Sequence, residues 1–145
     1  MEISMKDSAQ EAIASFRRWS VAFNARDTEA QLAEMHFPHL RLARNRFQWW
    51  ETADDFRAAQ EEFTRRLEEE GWHHTASLSI DPVQAGVDKV HLAIRQSRRH
   101  DDGAEYNGFD TLWIFTRLNG RWGVQFRSSF LTNTRVSGYG SSERP

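Results

Sequence analysis

The side chains able to do chemistry are few, and the histidines lead them. His36 and His39 stand three apart at a predicted helix-to-strand junction. Imidazole titrates near neutral pH, so either ring can serve as acid or base without a large shift. His39 is the candidate acid/base, facing a pocket. As a metal pair the two would need a third His, Asp or Glu at a fitting spacing, and no spacing signature supplies one, so no metal site is expected. Packing or surface roles compete with both readings. His73 and His74 open a strand after a helix-ending glycine and are expected to be exposed. His91 is expected at an interface. Trp49 and Trp50 are adjacent, so on a strand they point to opposite faces. One of them is expected to enter the pocket, and a core plug at one end of the domain is the competing reading. Thr111, Ser128 and Gln96 could orient a ligand among aromatics, or could bond to one another with no ligand. No Ser-His-Asp arrangement, Gly-rich phosphate loop or dinucleotide fingerprint is present. No cofactor is expected.

The elements that must position these residues divide the chain in two. The first half reads as helices. Ser8 and Glu11 have capping-box spacing, and Ala12, Ile13, Phe16, Trp19, Ser20 and Phe23 then recur on one helical face. Asn24 to Asp27 breaks that pattern. Asp27 can cap a second helix through Met35, with Pro38 as its stop. His39 to Ala43 and Phe47 to Trp50 read as a small β-hairpin. Thr52 and Asp55 cap a third helix carrying Phe56, Ala59, Phe63 and Leu67, which Gly71 ends. The second half reads as strands over Thr75 to Ala85, Lys89 to Arg99, Glu105 to Leu118 and Arg121 to Leu131. Asp102-Gly103 and Asn119-Gly120 mark hairpin turns between them. Residues 1–135 are expected to form one domain and 136–145 a flexible tail.

Two-residue turns fix a register. Val90 then faces Phe115, Leu92 faces Trp113, Ile94 faces Thr111 and Gln96 faces Phe109. On the last hairpin Phe115 faces Val124, Trp113 faces Phe126, Thr111 faces Ser128 and Phe109 faces Phe130. One sheet face is therefore almost wholly apolar and calls for helices to cover it. The other carries His91, Arg95, Leu112, Ile114 and Arg127, with Arg95 opposite Asp110 as a cross-strand pair. Apolar Leu112 and Ile114 among charges suggest a homodimer interface on that face. A single β-bulge would exchange the two faces beyond it.

Composition bounds the rest. The chain has 145 residues, enough for one core. Basic and acidic residues number 19 and 21 and are well mixed, for a net charge of −2. That balance argues against nucleic acid or anionic membrane as a partner. There is no cysteine, no long apolar span, and no apolar leader among Met1 to Gln10, so a cytoplasmic location is the default. Six Trp and ten Phe must fill a core, line a cavity or meet a partner.

The helix order, the small hairpin and the phrases "AFNARD", "MHFPHLRL" and "NGRWGVQFRSS" resemble the NTF2-like (SnoaL-like, cystatin-like) superfamily over roughly Ser8 to Leu131. The resemblance implies an α+β cone of three N-terminal helices packed on a strongly bent antiparallel β-sheet, with a pocket inside and a dimer through the convex face. Ketosteroid-isomerase-like members place a tyrosine on the first helix and a carboxylate base near the first strand. This chain has Phe16 and Trp19 at the first position and His36 and His39 at the second, so that site does not carry over. Cyclase-like members use an acid on a late strand, and here only Asp110 is offered, on the opposite face.

The resulting expectation is a small-molecule-binding protein with an apolar pocket lined by Trp19, Trp50, Trp113 and Phe126. His39, Thr111 and Ser128 are its polar points. Its ligand would be small and hydrophobic and not strongly anionic, because the register brings no Arg or Lys to the concave face. The alternatives are a cofactor-independent lyase, isomerase or cyclase-like enzyme using His39, and a purely structural or protein-binding module.

Overall fold

The computed structural model describes residues 4–131. The tail expected at 136–145 lies outside them. Helix α1 (Met5–Asn24) starts earlier than the Ser8 box implied, because Ser4 accepts the backbone N–H of Asp7 at 3.0 Å. Ser8 is instead buried, and its hydroxyl donates to the Val87 carbonyl. The helix turns Ala12, Phe16, Trp19 and Ala22 inward. Asp27 caps α2 (Thr28–Leu32) as expected, by accepting from Ala30 N.

That helix ends before Met35, and Pro38 does not stop it. Met35 already belongs to strand β1 (Met35–Ala43), and Pro38 lies inside the strand after a cis Phe37–Pro38 bond. The position suits a residue without an N–H, because the ladder of β1 is irregular between Met35 and Leu40. Arg44 and Asn45, at φ 53° and 60°, turn the chain into β2 (Arg46–Trp50). Helix α3 (Ala53–Glu69) opens on the Thr52–Asp55 capping box. It ends at Gly71, whose φ of 95° is open to glycine at little cost. Strands β3 (His74–Ala85), β4 (Lys89–Arg99), β5 (Glu105–Leu118) and β6 (Arg121–Ser129) follow.

The six strands form one strongly curled sheet in the order β2-β1-β6-β5-β4-β3, antiparallel except for the parallel pair β1–β6. Gly123 permits that pair. A Cβ there would lie 2.9 Å from the Met35 carbonyl carbon and from the His36 ring, so any side chain would push β1 away. The core between the helices and the concave face is aromatic. Phe16 and Trp19 each meet Trp113 edge-on, at 4.9 and 4.8 Å between ring centroids.

The β4–β5 register is the expected one. Val90 pairs with Phe115, Leu92 with Trp113, Ile94 with Thr111 and Gln96 with Phe109. Arg95 lies opposite Asp110 and meets it at 3.3 Å. The β5–β6 register begins as expected, with Phe115 opposite Val124, and then slips by one residue. Trp113 pairs with Arg127 and Thr111 with Ser129, not with Phe126 and Ser128. The extra residue is Gln125. Its amide nitrogen donates to the Pro38 carbonyl at 3.1 Å, and its oxygen accepts from Thr116 Oγ1 at 2.8 Å. Both neighbouring strands thus satisfy the bulge. Beyond it the faces exchange. Arg127 and Ser129 turn onto the concave face, and Phe126 and Ser128 leave it. Phe130 lies past the end of β6 and is half exposed. Arg127 consequently drops out of the convex patch in which the sequence placed it.

Candidate functional site

The curled sheet and α3 diverge at one end and leave a cavity of about 190 Å³. Its apolar walls are Trp50, Phe56 and Phe63, and its polar groups include Arg41, Gln48, Gln60 and Arg127. Glu62 and Arg66 lie at its rim, where Glu62 accepts from Arg65 and Arg66. A smaller chamber of about 30 Å³ shares the walls Arg41, Phe63 and Arg127 and reaches Trp19, Gln96, Arg98, Trp113 and Ser129. A third space, about 200 Å³, lies on the other side of Arg41 and Arg98 and brings Arg44, Arg46 and Glu70 near them.

Three arginines therefore line the concave interior, where none was expected. Arg41, Arg98 and Arg127 are only 8%, 6% and 7% exposed. Arg41 and Arg127 are register partners across the parallel β1–β6 pair, which puts both side chains on one face. Arg41 Nη1 donates to Gln48 Oε1 at 3.0 Å. Arg98 lies 3.7 Å from a Glu70 oxygen and stacks over Phe109 at 5.1 Å. Arg127 lies over Trp19 and Trp113 at 5.4 and 5.5 Å.

Burial disfavours each of these cations. It lowers Arg41 to about 10, aided by the charges of Arg98 and Arg44. It lowers Arg98, and it lowers Arg127 strongly, with Arg41 adding repulsion. A guanidinium's ordinary pKa is so high that all three stay charged at neutral pH.

His39 is wholly buried and supports Arg127 from behind. Arg127 Nε donates to His39 Nε2 at 3.0 Å, so that nitrogen is the acceptor and the proton is on Nδ1. Nδ1–H then donates to the Val124 carbonyl at 3.1 Å. Burial, and after it the Arg127 charge, holds the ring well below the usual histidine range and keeps it neutral. Both nitrogens are occupied, and His39 lines none of the three spaces. The expected pocket-facing His39 is in this sense corrected. Neighbouring His36 is engaged on both sides by Arg121, donating to its carbonyl at 2.8 Å and accepting from its guanidinium at 3.2 Å.

The remaining sequence candidates sort clearly. Trp50 enters the cavity while Trp49 is exposed and donates to Glu51. Trp19 and Trp113 line the inner chamber. Trp113 Nε1 donates to Thr111 Oγ1, which also bonds to Ser129 Oγ and the Ser128 carbonyl. Thr111 is thus saturated by protein partners. Phe126 and Ser128 line none of the spaces. His73 and His74 bond to each other, and His91 to Gln84. Among the described residues, no group of three or more His, Asp or Glu could hold a metal ion.

Helices closing over a strongly curled sheet, with a cavity left at one end, define the NTF2-like, cystatin-like class. The model of an NTF2-like protein family, DUF6841, matches residues 10–127, and the chain belongs to that family. No curated protein matches it significantly. Solved structures share the fold at low identity. An NTF2-like protein from Novosphingobium aromaticivorans is 16% identical, covering 94% of this chain and 86% of that one, with a TM-score of 0.70. A cystatin-like-fold protein of unknown function from Nostoc punctiforme is 14% identical, covering 90% and 95%, with a TM-score of 0.69. A ketosteroid isomerase-like protein from Erwinia carotovora atroseptica is also 14% identical, covering 87% and 97%, with a TM-score of 0.65.

Proposed function

We propose that this chain binds a small molecule in the cavity between α3 and strands β1, β2 and β6. One observation carries the reading. The cavity combines three aromatic walls, Trp50, Phe56 and Phe63, with a few polar groups aimed from β1, β2, α3 and β6. This is the pattern of a ligand site. The alternative, a lyase, isomerase or cyclase-like enzyme using His39, has less support. That ring is buried, neutral and occupied on both nitrogens, and the one carboxylate at the cavity rim, Glu62, is bonded to Arg65 and Arg66. The test is tryptophan fluorescence titrated with small ring compounds, repeated on Trp50→Ala. Saturable quenching that is lost in the variant supports binding; no response from any compound rejects it.

The assembly we propose is a homodimer through the convex face of His91, Arg95, Leu112 and Ile114. Phe126 takes the place first given to Arg127, because the bulge sends it there. Light scattering that shows a monomer at micromolar concentration would reject it. No helix among the described residues is long and apolar enough to cross a membrane, and a cytoplasmic location is part of the proposal.

A further inference from the structure

The cavity walls explain how an apolar body could be held, but not why guanidinium groups are buried beside them. An ion taken out of water costs several kcal/mol unless it is closely paired. Among the described residues neither Arg41 nor Arg127 forms an ion pair with a carboxylate. The hydrogen bond of Arg41 goes to the neutral Gln48 amide, and that of Arg127 to the neutral His39 ring. Glu70, the carboxylate nearest Arg98, is 3.7 Å away and accepts from Tyr106 as well. Two like charges thus share one face of adjacent strands, and no carboxylate among the described residues pairs with either.

A second, independent observation lies in the same inner chamber. Trp19 is 3% exposed, and its indole N–H has no hydrogen-bond partner. It lines the chamber with Arg41 and Arg127. Buried donors in native proteins are nearly always satisfied. Here the deficit is all of one kind: N–H donors and positive charge gather, and an acceptor is missing. The His39 contact adds a purpose to this arrangement. By accepting from Nε it fixes the plane of the Arg127 guanidinium while leaving its two terminal nitrogens for another partner.

We propose that the ligand is a small organic acid. Its oxyanion head occupies the inner chamber between Arg41, Arg127 and the indole N–H of Trp19. Its apolar body lies in the outer cavity against Trp50 and Phe56. The inference rests on the small-molecule reading above and narrows it to a chemical class. The chamber, at about 30 Å³, has room for roughly two oxygen-sized groups and none for a ring. The outer cavity, at about 190 Å³, falls below the roughly 300–1,000 Å³ of drug-sized sites, so the body is of the order of one ring. His39 is a positioning residue here, acting through Arg127.

Pairs of acids and their neutral amides separate charge from shape: benzoate with benzamide, and phenylacetate with phenylacetamide. Each is titrated against the protein by thermal unfolding and by spectra of the ¹⁵N-labelled indoles, with the Trp19 signal assigned from Trp19→Phe. The acids should bind about tenfold or more tightly than the amides and should move the Trp19 N–H proton downfield. Arg127→Met and, independently, Arg41→Met should abolish the preference for acid over amide. Amides that bind as well as acids would overturn the charge assignment and leave the cavity reading standing. No response to any compound would overturn both. An acid preference that survives in both arginine variants, with the Trp19 signal unmoved, would place the acid elsewhere and overturn the site.

Discussion

Replacing Arg41 by methionine should make the ligand-free protein more stable, against the general trend that core substitutions destabilise. Burial brings the Arg41 guanidinium down to about 10. At about 1.4 kcal/mol per pH unit, that corresponds to roughly 3 kcal/mol held against the fold at neutral pH, where the group is charged in both states. The side chain is only 8% exposed, so solvent screening takes little from this. The variant loses the hydrogen bond to Gln48, worth about 1 kcal/mol. Methionine fills much of the vacated stem volume and can lie against Phe63 as the guanidinium does. The net gain is about 2 kcal/mol, or a midpoint roughly 4–8 °C higher for a domain of this size. The assay is urea and thermal unfolding in a buffer free of phosphate, sulfate and carboxylates, with Arg66→Met at the cavity rim as a near-neutral control. Adding benzoate should narrow the gap by stabilising the parent protein more than the variant. A variant clearly less stable than the parent in anion-free buffer would refute the reasoning, because Arg41 would then hold the fold together without a ligand.

Three further outcomes are expected. His39 is held neutral by burial and by Arg127, and its folded value lies well below the ordinary 6.5, so the unfolded chain binds protons first as the pH falls. Its contribution is full above about pH 6.5 and declines below it, by up to about 1.4 kcal/mol per pH unit. His36 shifts in the same direction, and His39→Gln should flatten the measured stability–pH curve but not abolish its slope. Gly123→Ala should cost about 1–3 kcal/mol in urea unfolding, because its Cβ would meet Met35 backbone at 2.9 Å; a neutral result would mean that β1 can shift outward freely. Replacing Arg95 or Asp110 alone should weaken the proposed dimer by light scattering, while exchanging the two should restore part of it, since they pair across β4 and β5 at 3.3 Å.

The parts of the fold legible in the sequence were those set by local chemistry. Asn119-Gly120, Asp102-Gly103 and the Thr52–Asp55 box mark their turns and cap through interactions within a few residues; the loop at Asp102-Gly103 is one residue longer than expected, and the β4–β5 pairs match because a bulge between Arg98 and Arg99 offsets it. The bulge at Gln125 was not legible, because what stabilises it is distant in sequence: the Pro38 carbonyl, on a strand that pairs in parallel with β6. Missing that one residue turned Arg127 outward and Phe126 inward, and an arginine pocket was read as an apolar one. Part of the correct answer was nevertheless available. His39, Arg41 and Ala43 alternate on one strand, so a His39 that faces inward brings Arg41 with it. Charge made Arg41 look like a surface residue, since buried arginines are uncommon.

The parallel pairing of β1 with β6 also bears on when the protein can fold. His39 and Val124, which meet across that seam, are 85 residues apart, and β6 separates the β1–β2 hairpin from the rest of the sheet. During synthesis the hairpin therefore has no strand to dock on until β6 leaves the ribosome. Its edge and the side chains of Met35 and His39, buried in the finished fold, wait in the open. Closing so long a loop comes late and slowly. The inner chamber takes Arg41 from β1 and Arg127 and Ser129 from β6, so it is complete only once these strands have paired, and an anion that binds there would act on the folded protein and not as a template for the nascent one.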